Sequence, residues 1–409
     1  MKAYSPLPFE EEGPTFDQLV HAIGHRPYDI SPNRAQHDAK ILDLIAKASS
    51  KVLNRGRTGD GSTALIEAME GCSEEACLAL IAKMSQEAIQ AVNERGMNAL
   101  MTGLRVGRGE PRRGFTSRKY EPFLSVFNEL LERMTDEALD HVANDGMTAL
   151  MFAARETAGN PGVANPEVGL KLIPRMSLEA VQHVAEETDE NALTLALRRR
   201  WQLSGESPAE EQNKLCEALI EKMTDEALDH AVKGGTTALM LAVLHHYTEL
   251  CIMLIPRMSE GGIQHVSRIT GSGTISFAEQ LGENALRLAL YRGLWKSEED
   301  QVQVCNALIN RMTDEALGSA NVLGDTALKM AVEDTIGVVW GKIGPRAQPP
   351  RTQPLGEGYA QELRGVCLQL VSKMSEDAVS RANNIGVTAL GALVGLDDRN
   401  RDQQLQLPR

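Results

Sequence analysis

The chain has 409 residues, 42% of them hydrophobic and only 4% aromatic, with a formal net charge of −14. That charge argues against nucleic-acid binding by the body as a whole. No apolar run approaches the ~18 residues needed to cross a bilayer, and the start MKAYSPLPFEEEGPTF lacks the basic end and apolar core of a Sec signal peptide.

In chain order, residues 1–14 are acidic and proline-bearing, and 15–24 (TFDQLVHAIG) and 35–50 read as helices. Residues 1–40 are therefore expected to form an N-terminal segment and cap. From 41 to 396 the chain repeats itself. Met, then Ser or Thr, then usually an acid and Ala-Leu or Ala-Val, returns with Met at 84, 134, 176, 223, 258, 312 and 374. A second word, Thr-Ala-Leu or Asn-Ala-Leu, follows with Ala at 99, 149, 192, 238, 285, 327 and 389, and a degenerate copy opens the series at Ala64. The separation is 15 residues in five copies, 16 from Met176 to Ala192 and 27 from Met258 to Ala285. Such self-similarity predicts an all-α stack of about eight units, each contacting its neighbours. Residues 397–409 are polar and predict a tail that frays.

One unit, Leu130 to Ala154, shows the design. Leu130 and Leu131 end an apolar helix. Thr135 caps a second, short helix, and Asp136 and Glu137 suit its positive end. Asn144-Asp145-Gly146 is turn chemistry. Thr148 then caps a helix with Leu150, Met151, Ala153 and Ala154 on its apolar positions. The string Asn144 to Ala154 (NDGMTALMFAA) and its counterpart Gly234 to Ala242 (GGTTALMLA) resemble the ankyrin repeat. Ala stands where the ankyrin pattern has Pro, Met often stands where it has His, and the finger reads as a helical turn rather than a β-hairpin. The resemblance implies an ankyrin-like helical repeat solenoid with helical fingers, and protein–protein recognition as the function. Degenerate arrays of this kind also resemble effectors that intracellular bacteria inject into host cells. That implies a host protein as partner, and a cytoplasmic location or delivery into a host cytosol without a Sec leader.

Recurring residues read as structural. Cys77, Cys216, Cys251, Cys305 and Cys367 each precede the repeat Met by seven residues. Equivalent positions of neighbouring helices sit roughly 8–10 Å apart, beyond disulfide reach, so buried thiols are expected. His141, His183, His230 and His265 each follow the Met by seven. Ligands one repeat apart cannot converge on one ion, so no metal is expected, and no cofactor either. The acids of the Thr-Asp-Glu-Ala-Leu words at 135–139, 224–228 and 313–317 read as helix-start charges. The chain holds no HExxH, no phosphate loop and no GxSxG. No catalytic residue is assigned and the chain is expected not to be an enzyme.

The non-periodic residues lie in insertions between a unit's two helices. The first carries Arg105, Arg108, Arg112, Arg113, Arg118, Lys119 and Tyr120, the third opens with Arg199, Arg200 and Trp201, and Trp295 and Trp340 lie in later ones. Trp, Tyr and Arg dominate interface energetics, so these twelve residues are the expected partner-binding set. Three readings stand beside the protein scaffold. The basic insertions could hold a phosphoinositide or nucleic acid, which the net charge disfavours. An enzyme could build its site there, for instance from Arg113 with Glu210 or Glu211. Each Trp could instead fold its own loop back onto the helices.

Overall fold

The computed structural model describes residues 14–24, 32–57, 59–71, 73–106, 124–155, 166–198, 209–267, 282–291, 295, 297–335, 338–339, 351–352, 357–384 and 386–390. The fold is all-α; the described strands are one antiparallel rung pair, Val338–Val339 with Arg351–Thr352. Three kinds of helix alternate. An Ala-Leu helix begins at the second words from Ala64 to Ala327: Ala64–Met69, Ala99–Val106, Ala149–Ala154, Ala192–Leu197, Ala238–Leu244, Ala285–Ala289 and Ala327–Thr335. A Met helix ends just before each repeat Met: Glu74–Lys83, Leu124–Arg133, Pro166–Leu172, Ala209–Lys222, Thr248–Arg257, Glu298–Arg311 and Glu357–Lys373. A finger helix of one turn or so comes next, as in Gln86–Gln90, Asp136–Leu139, Leu178–Val181 and Asp225–Leu228.

The sequence starts the Ala-Leu and finger helices where it does because a hydroxyl or amide side chain caps them. Thr63, Asn98, Thr148, Asn191, Thr237, Asn284 and Thr326 precede the Ala-Leu helices, and each side chain accepts an amide three residues on. Ser85, Thr135, Ser177, Thr224, Ser259, Thr313 and Ser375 do the same for the fingers. The cap satisfies one of the amides a helix start leaves unpaired. Thr148→Ala should therefore cost about 1 kcal/mol, read as a lower denaturation midpoint, whereas Thr148→Ser should cost little.

The chain divides into two compact units, residues 1–187 with 200–218, and 188–199 with 219–409. In the first, Ala64–Met69 packs on Phe16–Gly24 and on Ala99–Val106, which packs on Ala149–Ala154. The Met helices run beside them in the same order, from Pro32–Lys47 through Glu74–Lys83 and Leu124–Arg133 to Pro166–Leu172. Phe16–Gly24 and Pro32–Lys47 are thus paired like the later helices, and the boundary expected at residue 40 falls inside a helix. In the second unit the Ala-Leu helices Ala192–Leu197, Ala238–Leu244, Ala285–Ala289 and Ala327–Thr335 pack in sequence, beside Thr248–Arg257, Glu298–Arg311 and Glu357–Lys373. The core is thin and aliphatic: Leu65, Leu100, Leu150, Leu193, Leu239 and Leu286, one per word, are fully buried. Fingers are not helix alone. Beyond the short helix, single antiparallel bridges close the turn at Val142 with Thr148, Ala231 with Thr237 and Ala320 with Thr326.

The described cysteines sit on the Met helices. Cys77, Cys216, Cys251 and Cys305 are buried thiols, and Cys367 is half-buried. Burial pushes the Cys216 thiol up to about 12 from an ordinary 9.0, and raises Cys251 too. Since an unfolded thiol ionises first, the stability these groups contribute is complete below pH 9 and is lost as pH climbs from there toward 12. Among the described cysteines, native-state labelling with a thiol reagent should modify Cys367 first and leave Cys216 and Cys251 until the chain unfolds.

Candidate functional site

Of the expected partner-binding residues, the structure describes Arg105 and Trp295. Arg108, Arg112, Arg113, Arg118, Lys119, Tyr120, Arg199, Arg200, Trp201 and Trp340 lie outside the described residues. Arg105 is half-buried near the end of Ala99–Val106. Trp295 is half-buried. Its Nε1 donates to Ala289 O at 2.8 Å and its ring lies 5.8 Å from that of His246. Its indole leans back onto its own helix layer and keeps part of its surface open. Glu210, a candidate acid opposite Arg113, pairs with Lys214 at 2.9 Å on its own helix, and that contact lowers its pKa.

The histidines act between neighbours. His141 Nε2 lies 2.8 Å from Gly96 O, His183 Nε2 3.1 Å from Gly146 O, and His230 Nε2 2.8 Å from Asp189 O. Each ring reaches the turn of the preceding finger. The turns meet directly as well: Asn144 N donates to Arg95 O at 3.0 Å and Asn144 Nδ2 to Glu94 O at 2.8 Å. Gly96 takes φ +69°, and a Cβ there would lie 2.6 Å from Asn144 Oδ1. Only glycine permits so close an approach.

This stacking aligns the finger tips and leaves them exposed. In the first unit Val92 and Val142 keep 40% and 36% of their surface, and Val184, at the same register, is half-buried. Glu94, Arg95, Asn144, Asp145, Glu186 and Glu187 are exposed around them. In the second unit the equivalent tips carry Ala231 and Lys233, then Val266, then Val322 and Leu323. Exposed turns held on a packed scaffold are where recognition residues usually lie.

A second non-periodic feature is internal. In the second unit, Arg287 and Glu283 are fully buried and paired, Nε to Oε2 at 2.7 Å. Arg287 Nη1 also donates to Ser319 O and Oγ, and Nη2 to Gly282 O. Glu283 Oε1 accepts from Tyr291 OH at 2.9 Å and Asn321 Nδ2 at 2.8 Å. Burial, then the Glu283 carboxylate, pushes the Tyr291 phenol up. On the next Ala-Leu helix, Lys329 Nζ bridges Asp325 Oδ1 at 2.9 Å and Glu333 Oε1 at 2.7 Å, and Asn383 Nδ2 donates to Asp325. Every charge in this chain of contacts faces an opposite one, which makes it a packing device rather than a reactive centre.

Among the described residues, no group of three or more His, Cys, Asp or Glu could hold a metal ion, and no helix is long and apolar enough to cross a membrane. No family model and no curated protein matches the chain. Among solved structures it is similar to a chain from the complex of the predatory endopeptidase Bd0816 of Bdellovibrio bacteriovorus with the immunity protein Bd3460. That match has 19% identity and a TM-score of 0.34, and covers 61% of this chain and 98% of that one. Because that complex contains an endopeptidase, the expectation that the chain is not an enzyme is corrected: it does not stand against this neighbour. At that TM-score the likeness carries no argument for a peptidase site either.

Proposed function

We propose that the chain is a protein-recognition array of ankyrin-like units that grips its partner along the finger edge. The observation that carries this reading is the in-register stacking of the finger turns through His141, His183 and Asn144, which holds a row of exposed tips on an aliphatic scaffold. Rigid presentation limits the conformational entropy lost on binding. The partner class that suits such a row is another protein, because several small contacts spread over neighbouring units give area rather than a cavity. The host-effector resemblance extends the proposal to a partner in a host cytosol. A secretion-defective strain that delivers the chain as well as its parent would remove that extension.

Affinity capture from lysate tests the core proposal. Wild type should retain a protein that is lost in a Val92→Asp, Val142→Asp double variant and kept in a Glu75→Ala, Glu132→Ala variant of the exposed Met-helix surface. Equal retention by all three would remove the finger edge as the site.

A further inference from the structure

The finger edge of the first unit has a chemistry that the second unit's does not share. Val92, Val142 and Val184 each follow the repeat Met by eight residues, so one β-branched apolar side chain stands on each of three consecutive tips. Their exposure is real surface: Val92 and Val142 are 40% and 36% accessible although the fingers beneath them are hydrogen-bonded into a ladder. The exposed charges on those tips are four acids, Glu94, Asp145, Glu186 and Glu187, against one base, Arg95. At the same register the second unit carries one valine, Val266, with alanines at 231, 320 and 382 and the exposed base Lys233 beside the first of them, so it has no row of valines. The first edge is therefore an apolar row inside an acidic rim. Isolated exposed valines are ordinary; a row at fixed register within a rim of four acids and one base is a pattern a ligand can match.

Resting on the proposed recognition function, we infer that this edge binds a basic, extended peptide segment with an aliphatic side chain at every third residue. The spacing comes from the stack. Neighbouring helices pack roughly 8–10 Å apart, and an extended chain rises ~3.1–3.4 Å per residue. Three residues therefore advance one unit. In a polyproline-like strand every third side chain also points the same way, so positions i, i+3 and i+6 meet Val92, Val142 and Val184. Lys or Arg at the positions between would face the rim acids, which steer association and set its salt dependence. Asp145 Oδ1 also accepts from Met147 N, which holds its carboxylate at the tip.

Fluorescence anisotropy with the full chain and three labelled peptides tests this. The probes are four Val-Lys-Lys triplets, four Val-Glu-Glu triplets, and a twelve-residue Val-Lys alternation of the wrong period. The Val-Lys-Lys peptide should bind at least tenfold tighter than either other peptide and weaken as salt rises. Two variants should each lose at least tenfold: Val92→Thr with Val142→Thr and Val184→Thr, which keeps side-chain shape, and Glu94→Gln with Glu186→Gln and Glu187→Gln. Circular dichroism equal to wild type shows that both remain folded. Equal or tighter binding of the acidic peptide, or no change in either variant, would overturn the inference. Finger-dependent capture from lysate alongside no basic-peptide preference would overturn it and leave the recognition reading standing. Loss of both would overturn the two together.

Discussion

Arg287→Met is expected to destabilise the second unit by about 3–5 kcal/mol, because it strands a buried carboxylate. Glu283 is fully buried and its strongest partner is the Arg287 guanidinium at 2.7 Å. Without it, Tyr291 and Asn321 are the donors to that carboxylate among the described residues. Glu283→Met should cost a comparable amount by leaving the guanidinium uncompensated. The double replacement should recover most of the loss. In the first unit the same two positions, two residues before and two after the word Ala, hold the buried pairs Met97 with Met101 and Met147 with Met151. The layer is thus known to pack with thioethers, and the residual cost comes from Ser319 O and Gly282 O losing their donor. Hydrogen exchange over Ala285–Ala289 in the four members of the cycle measures the coupling. Additive losses would show that the pair is not acting as a unit.

Arg175→Met is expected to cost about 2 kcal/mol, since hydrogen bonds to charged donors contribute ~1.5–3 kcal/mol. Arg175 donates through Nη1 to Leu131 O and through Nη2 to Met134 O at 2.8 Å and Asp136 Oδ1 at 2.6 Å. These carbonyls close the C-terminal end of Leu124–Arg133, where a positive charge is favoured. The Asp136 contact is largely exposed and adds little. The same clasp recurs: Lys83 on Ile45 O, Arg133 on Met84 O, Arg257 on Met223 O, Arg311 on Met258 O and Lys373 on Ile309 O. Arg175→Lys should therefore keep part of the stability, because Lys fills this role at two positions. Denaturation midpoints of the three chains decide it, and a Lys variant no better than Met would point to side-chain packing instead.

What was legible in the sequence was local and periodic. The Thr135 and Thr148 caps, the finger helix at Asp136–Leu139 and the buried thiols all derive from residues within one unit. The bridge between Val142 and Thr148 was missed because a helical turn explained the same residues. The clasp was missed for a related reason. A base before each Met is already accounted for by the helix dipole, and its acceptors lie a full unit away: Arg175 and Leu131 are 44 residues apart. The ionic layer had a signal, Glu283, Arg287 and Tyr291 spaced by four, as are Asp325, Lys329 and Glu333. Charges inside an apolar helix become intelligible only when stacking supplies Ser319, Asn321 and Asn383 from neighbouring turns. The turn of Trp295 Nε1 onto Ala289 O was not legible either: composition marks an aromatic side chain as interface-prone but does not say which way it turns.

Site-specific photo-cross-linking tests the central claim most directly. A cross-linker replaces Val92, Val142 or Val184 in turn, and Glu75 or Glu132 on the Met-helix surface serves as control. Recognition along the finger edge predicts one common protein adduct from the three valine positions and none from the two glutamates. Adducts of equal yield from the Met-helix positions, or three different adducts from the three valines, would contradict it.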